Sequence, residues 1–128
     1  MARVLSKTYS CPTAFTLSVL GGKWKTVVLS YLKEHPLRYG ELRRLTPGLS
    51  DKMLSERLKE LEEDGLIARQ VVEASDAVMT YALTARGQSL GPALCALYEW
   101  GQAHAEEYGV KCEAADLTSA SDAGRARC

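Results

Sequence analysis

Residues 38–65, RYGELRRLTPGLSDKMLSERLKELEEDG, hold two amphipathic segments separated by the turn-rich break Thr46-Pro47-Gly48. The second segment opens at Ser50, whose hydroxyl can accept from an orphan amide of a first helical turn. It closes at Gly65, which tolerates a left-handed C-terminal cap. Between these ends Leu54, Leu58 and Leu61 recur at helical spacing and form one stripe that has to be buried. Lys52, Glu56, Lys59 and Glu63 fall on the opposite side, flanked by Met53 and Ser55, so the outward face is polar and mixed in charge. The first segment is short, turns Leu42 and Leu45 inward and carries Arg43 and Arg44, as suits a helix that crosses a phosphate backbone. The pattern is that of a helix-turn-helix, although an ordinary helical hairpin with solvated charges would share these features.

Composition bounds what such a motif can belong to. A chain of 128 residues, 46% hydrophobic and 25% charged, has the balance of one globular domain with a single core and little room for a large catalytic cleft. No apolar run is long enough to cross a bilayer, and Met1 to Ser10 lacks the apolar centre of a signal peptide, so a cytosolic protein is expected. Formal charge is zero, yet from Lys23 to Lys59 nine basic residues stand against four acidic ones, a local excess of five. A neutral chain with a basic half can attract phosphate through that half. Cys11, Cys95, Cys112 and Cys128 show no CxxC spacing and only His35 and His104 could join them, so neither a metal nor another cofactor is expected. In a reducing compartment their importance would lie in thiol reactivity.

Outward from the motif, Cys11-Pro12 opens a helix that Gly21-Gly22 ends, with Pro12 at a first position where its missing N–H costs nothing. Lys23 to Glu34 reads as the central core helix, with Trp24, Val27, Val28, Tyr31 and Leu32 at helical spacing and His35-Pro36 closing it. Leu66 to Glu73 and Met79 to Thr84 read as strands joined by the short link Ala74-Ser75-Asp76-Ala77. A helix-turn-helix followed at once by a hairpin is a winged helix, so the fold class is mainly α with a small β-hairpin wing. Thr84 can cap a last helix running to about Tyr108, interrupted or bent at Gly91-Pro92. Its stripe of Leu90, Leu94, Leu97, Tyr98 and Gly101 is too long for one small core, which predicts dimerisation through the N- and C-terminal helices. Residues 1–10 read as a flexible leader, 11–108 as the folded domain and 109–128 as a disordered tail rich in Ala, Ser, Asp and Gly.

Three stretches, CPTAFTLSVLGGKWKTVVLSYL, RYGELRRLTPGLSDKMLSERLKELEEDGLIAR and YALTARGQSLGPALCALYEWG, resemble the HxlR family of bacterial transcription regulators, winged-helix relatives of the MarR proteins. The match runs from about Cys11 to Trp100, and Gly-Gly-Lys-Trp at 21 to 24 is among its most specific pieces. The resemblance implies a homodimer whose recognition helices enter successive major grooves of a palindromic double-stranded operator. Carried over by position, Ser50, Lys52, Met53, Ser55 and Glu56 form the base-reading end of the helix, and Arg57 and Lys59 its backbone-facing margin. Lysine can donate to guanine, serine can serve either base type, and glutamate can accept from cytosine or tether a neighbouring lysine. Lys23, Lys25, Arg38, Arg43 and Arg44 would meet phosphates, which gives affinity without sequence information.

The chain departs from the family at the wing, where relatives typically carry a proline-containing link with a basic residue before the second strand. Here the tip, Ala74-Ser75-Asp76-Ala77-Val78, has an acid and no base, which puts minor-groove insertion in question and leaves Arg69 on the first strand as the nearest substitute. Some family members sense oxidants, quinones or aldehydes through a cysteine just before the first helix, where Cys11 stands. An independent argument agrees, since a helix N-terminus favours the thiolate, the form that attacks such reagents. The second cysteine that some relatives place near the recognition helix is missing, Leu49 and Met53 being apolar, and Cys95 reads as a packing residue. The expected function is a thiol-responsive repressor. Control by a non-covalent small ligand and a protein-contact module without DNA binding are the alternatives, and a thiol enzyme would need a base beside Cys11 that neither histidine supplies nearby in sequence.

Overall fold

A computed structural model describes residues 8–71 and 78–112. The elements are α1 (Pro12–Leu20), α2 (Lys23–Glu34), α3 (Tyr39–Leu45), α4 (Asp51–Glu63), β1 (Ile67–Val71), β2 (Met79–Leu83), α5 (Ala85–Gln88) and α6 (Gly91–His104), followed by one 3-10 turn, Ala105–Tyr108. This is the expected winged helix-turn-helix. Residues 1–7, 72–77 and 113–128 are outside the described set, and with them most of the leader, the wing tip and most of the tail.

The core is assembled on α2, which packs against α4, α6 and β2. Val28 and Leu29 are sealed from solvent, and Leu42, Leu54, Leu58, Leu61 and Leu94 close around them. Val27 and Tyr31, expected in the core, are only partly buried, whereas Leu29 is central. Each fully buried leucine contributes about 1.5–3 kcal/mol of transfer free energy, so the α4 stripe alone anchors that helix firmly.

Both ends of α4 match the reading of its sequence. The Ser50 hydroxyl accepts from the Met53 amide at 3.1 Å. At the other end the Gly65 amide donates to the Glu62 carbonyl and the Leu66 amide to the Leu61 carbonyl, a Schellman closure with Gly65 at φ 76°. The chain thus turns straight from α4 into β1.

β1 and β2 pair antiparallel with Ile67 opposite Leu83 and Val71 opposite Met79. Leu37, just ahead of α3, adds a bridge to Tyr81 through Leu37 N–H to Tyr81 O at 3.0 Å and the reverse bond at 2.7 Å. The wing is therefore tied to the entry of the helix-turn-helix as well as to its exit. Thr84 strengthens the exit by donating to the Gly65 carbonyl at 2.6 Å while accepting from the Gly87 amide at 3.1 Å.

The last helix differs from expectation in its break. Thr84 caps only α5, the interruption falls at Ser89-Leu90, and Gly91-Pro92 begins α6 rather than bending it. Proline in a first helical turn loses no intrahelical bond, so it starts a helix more easily than it continues one. Gly87 is packed so closely on the wing that a Cβ there would run into the Leu66 carbonyl oxygen. Gly87→Ala should lower stability by about 1–3 kcal/mol, the usual cost of overpacking, measured as a drop in the urea midpoint at unchanged m-value.

Candidate nucleic-acid interface and thiol site

The turn between α3 and α4 is held from three directions. Thr46, fully buried, donates its hydroxyl to the Leu42 carbonyl at 2.8 Å, and the Leu49 amide returns to the Thr46 carbonyl at 3.0 Å. Gly48 lies against the Trp24 ring so tightly that a Cβ would approach Trp24 Cζ2 to 2.8 Å. The tryptophan of the Gly-Gly-Lys-Trp run is thus a wall for the turn, a role that spacing along α2 alone did not reveal. Across the turn, Asp51 Oδ1 accepts from Tyr39 Oη at 2.9 Å and from Arg43 Nε at 2.8 Å. First the tyrosine hydroxyl and then the guanidinium hold the Asp51 carboxyl below the ordinary aspartate range.

With its leucines buried, α4 presents Lys52, Met53, Ser55, Glu56, Lys59 and Glu63 to solvent. Ser50 is exposed but spends its oxygen on the cap. Lys52 and Lys59 have no ion-pair partner among the described residues, so both ammonium groups are available to a ligand. Arg57 is held along its own helix by Glu60 at 2.8 Å and Glu56 at 3.5 Å, so Glu56 tethers an arginine rather than a lysine.

The residues expected to meet phosphates divide into two groups. Lys23, Arg38 and Arg44 are exposed, Lys23 lying over the Trp24 ring at 4.6 Å from its centroid. Arg43 is engaged with Asp51, and Arg69 with Glu62 of α4 at 3.1 Å. Lys25 is almost wholly buried: it is 6% exposed, stands 3.8 Å from Asp64 Oδ2, and passes the Gly21 backbone closely enough that a Cβ there would come within 2.9 Å of its Nζ. A buried ammonium beside a buried carboxylate binds the start of α2 to the end of α4, and its removal from water takes Lys25 out of the DNA-facing set.

Cys11 is the N-cap of α1 and is exposed with a free thiol, as is Cys112. The backbone amide of Ala14, then that of Thr13, lowers its pKa from the ordinary thiol value, with the Thr13 hydroxyl adding to them and slight burial opposing. Cys95 on α6 is half-buried beside Leu94. Among the described residues no group of His, Cys, Asp and Glu could hold a metal ion, and no helix is long and apolar enough to cross a membrane.

Of the large apolar residues that the core leaves uncovered, half lie on the terminal helices, the others being Met53 on α4, Val71 and Met79 on the wing, and Tyr108 and Val110 after α6. On α1 they are Phe15 and Leu17, and on α6 Leu97, Tyr98 and Trp100, with Trp100 stacked on His104 at 4.5 Å. The predicted stripe on α6 is therefore half used: Leu94 is sealed and Leu90 partly buried, while Leu97 is 54% exposed.

A helix-turn-helix braced by a wing, with one polar helix face left clear, defines a winged-helix transcriptional regulator. The HxlR-like helix-turn-helix family model matches residues 19–108, and the chain belongs to that family. HTH-type transcriptional regulator YdzF of Bacillus subtilis is 44% identical over 100 residues, covering 77% of this chain and 92% of that protein. Among solved structures, the redox regulator HypR in its reduced form superposes with a TM-score of 0.70 at 34% identity, over 77% of this chain and 98% of that one. The reduced form of the transcriptional regulator YodB from B. subtilis gives 0.63 at 33% identity, over 73% and 93%.

The cap geometry leads to a stability prediction. Ser50→Ala should cost about 1 kcal/mol by leaving the Met53 amide without its partner, read from chemical denaturation. A second prediction follows from the lowered Cys11 pKa: iodoacetamide should alkylate Cys11 faster in the folded protein than in urea at neutral pH, with the folded-state rate persisting to lower pH. Peptide mass spectrometry against time and pH measures both rates.

Proposed function

We propose that this regulator is a homodimeric, sequence-specific repressor whose paired α4 helices read a palindromic operator and whose Cys11 releases it on reaction with an oxidant or electrophile. The observation that carries the DNA-binding part is the division of α4, with Leu54, Leu58 and Leu61 buried and Lys52, Met53, Ser55, Glu56 and Lys59 exposed on the other side. A recognition helix needs such a face to reach base edges. Ser50 sets the start of that helix through its cap, and Arg57 lines its margin while paired to acids of its own helix. Lys23, Arg38 and Arg44 supply backbone attraction. Arg43 and Arg69 support the reading head from within it, each bound to a carboxylate of α4.

Dimerisation is supported by the uncovered apolar side chains of α1 and α6, which a second copy would remove from water. Sensing is supported by the exposed, acidified thiol at the front of α1 and by the likeness to HypR, a redox regulator. With a quinone the Cys11 thiolate forms a sulfur–carbon bond, the displaced ring electron pair passes to one ring oxygen, which takes a proton from solvent, and the attacked carbon then releases its hydrogen as a proton while the second oxygen takes one, giving a hydroquinone thioether with no further reductant. An adduct at the end of α1 would disturb the helix that lies against the partner, and through it the separation of the two α4 helices.

Fluorescence anisotropy on the DNA upstream of the protein's own gene tests this reading. The chain should sediment at twice its own mass, and Leu97→Glu should shift it to a monomer. Affinity should fall steeply with salt, and Arg44→Ala should flatten the log–log salt slope by about 2, because each protomer then neutralises one phosphate fewer and each phosphate is worth about 0.9. Benzoquinone should release the wild-type protein from DNA and leave the Cys11→Ser protein bound. Equal affinity for all duplexes, or release of Cys11→Ser, would overturn the corresponding part.

A further inference from the structure

Asp51 is the first residue of α4 and the only acid in its first turn. Its side chain remains 75% exposed even though two donors from α3 bind it. Both of those bonds fall on Oδ1, from Tyr39 Oη and Arg43 Nε, and the Tyr39 hydroxyl also lies 3.3 Å from the Asp51 main-chain oxygen. No described residue bonds to Oδ2. The arrangement fixes the carboxylate in a single orientation and balances its charge with one guanidinium, so that it can stand near phosphates without a net repulsive charge. A salt bridge between two exposed side chains adds little stability by itself. What this one supplies is direction: the carboxylate is pinned through Oδ1 while its side chain stays largely exposed at the start of the helix read as the recognition helix.

We propose that Asp51 is a specificity-determining residue, its free Oδ2 accepting a hydrogen bond from the N4 amino group of a cytosine in each half-site while Tyr39 and Arg43 act as positioning residues on Oδ1. The proposal rests on the reading of α4 as a DNA-recognition helix. Cytosine is the base that an acidic side chain selects in the major groove, because its exposed edge offers a lone N4 donor, whereas guanine and thymine present acceptor oxygens and adenine sets an N7 acceptor beside its N6 donor. It also gives Arg43 a use other than binding phosphate.

Selection from a pool of randomised double-stranded DNA, carried out with the full chain and its variants, tests this. The wild-type protein should enrich a palindrome with a cytosine in each half-site whose replacement weakens binding about tenfold, within the range of base-edge discrimination. Asp51→Ala should level the preference at that one position and keep it elsewhere. Asp51→Asn, nearly identical in shape, should move it to adenine, whose N6 and N7 suit a carboxamide. Tyr39→Phe should blunt the cytosine preference without moving it. A uniform loss of affinity in the Asp51 variants with the wild-type order of preference intact would overturn the proposal and leave Asp51 a purely structural brace. Enrichment of no sequence by the wild-type protein would overturn the DNA-recognition reading, and this proposal with it.

Discussion

Burial of Leu54, Leu58 and Leu61 beneath the core helix is the feature from which the remaining geometry follows. A helix has one rotational freedom about its axis, and three leucines on one stripe remove it. Once that stripe is against α2, Lys52, Ser55, Glu56 and Lys59 have no direction left but outward. Polarity of the exposed face and burial of the opposite one are thus two consequences of one packing event.

That event also explains the rigidity of the neighbouring joints. The turn before α4 has little freedom, because Gly48 abuts Trp24, Thr46 is buried with its hydroxyl satisfied, and Asp51 is bonded to α3. The exit is equally constrained by the Gly65 closure, the Thr84 bond to its carbonyl and the Lys25–Asp64 pair. Buried ion pairs contribute little net stability after desolvation, but losing one partner strands the other, so they specify an arrangement more than they strengthen it. Here the arrangement specified is the position of α4 relative to the elbow between α1 and α2, the helix carrying Cys11 and the helix carrying the core.

Much of this is legible in the order of residues. The bounds of α2, the caps of α4 at Ser50 and Gly65, the short α3 and the Cys11-Pro12 start of α1 all depend on interactions within a few residues, and such interactions leave their marks in sequence, while the two strands are marked by their β-branched and aliphatic residues and the short link between them. The same holds for the unpartnered apolar stripe on α6, where Leu97 and Tyr98 are exposed while Leu94 is sealed. Local chemistry also explains why Cys11 stands out among the thiols, since the amides two and three residues on lower its pKa.

Helices, their caps, the hairpin and the face of α4 that has to be buried are therefore properties of the chain's residue order, because each follows from periodicity or from a bond between near neighbours. Which cations remain available is settled in three dimensions alone. Lys25 and Lys52 look alike as residues in a basic half, yet one is buried beside Asp64 and the other lies open on α4. Arg43 and Arg44 are adjacent, and the turn of the helix brings one to Asp51 and leaves the other in solvent. A charge's partner is chosen by proximity in space, and for these pairs that proximity exists only after the leucine core has closed.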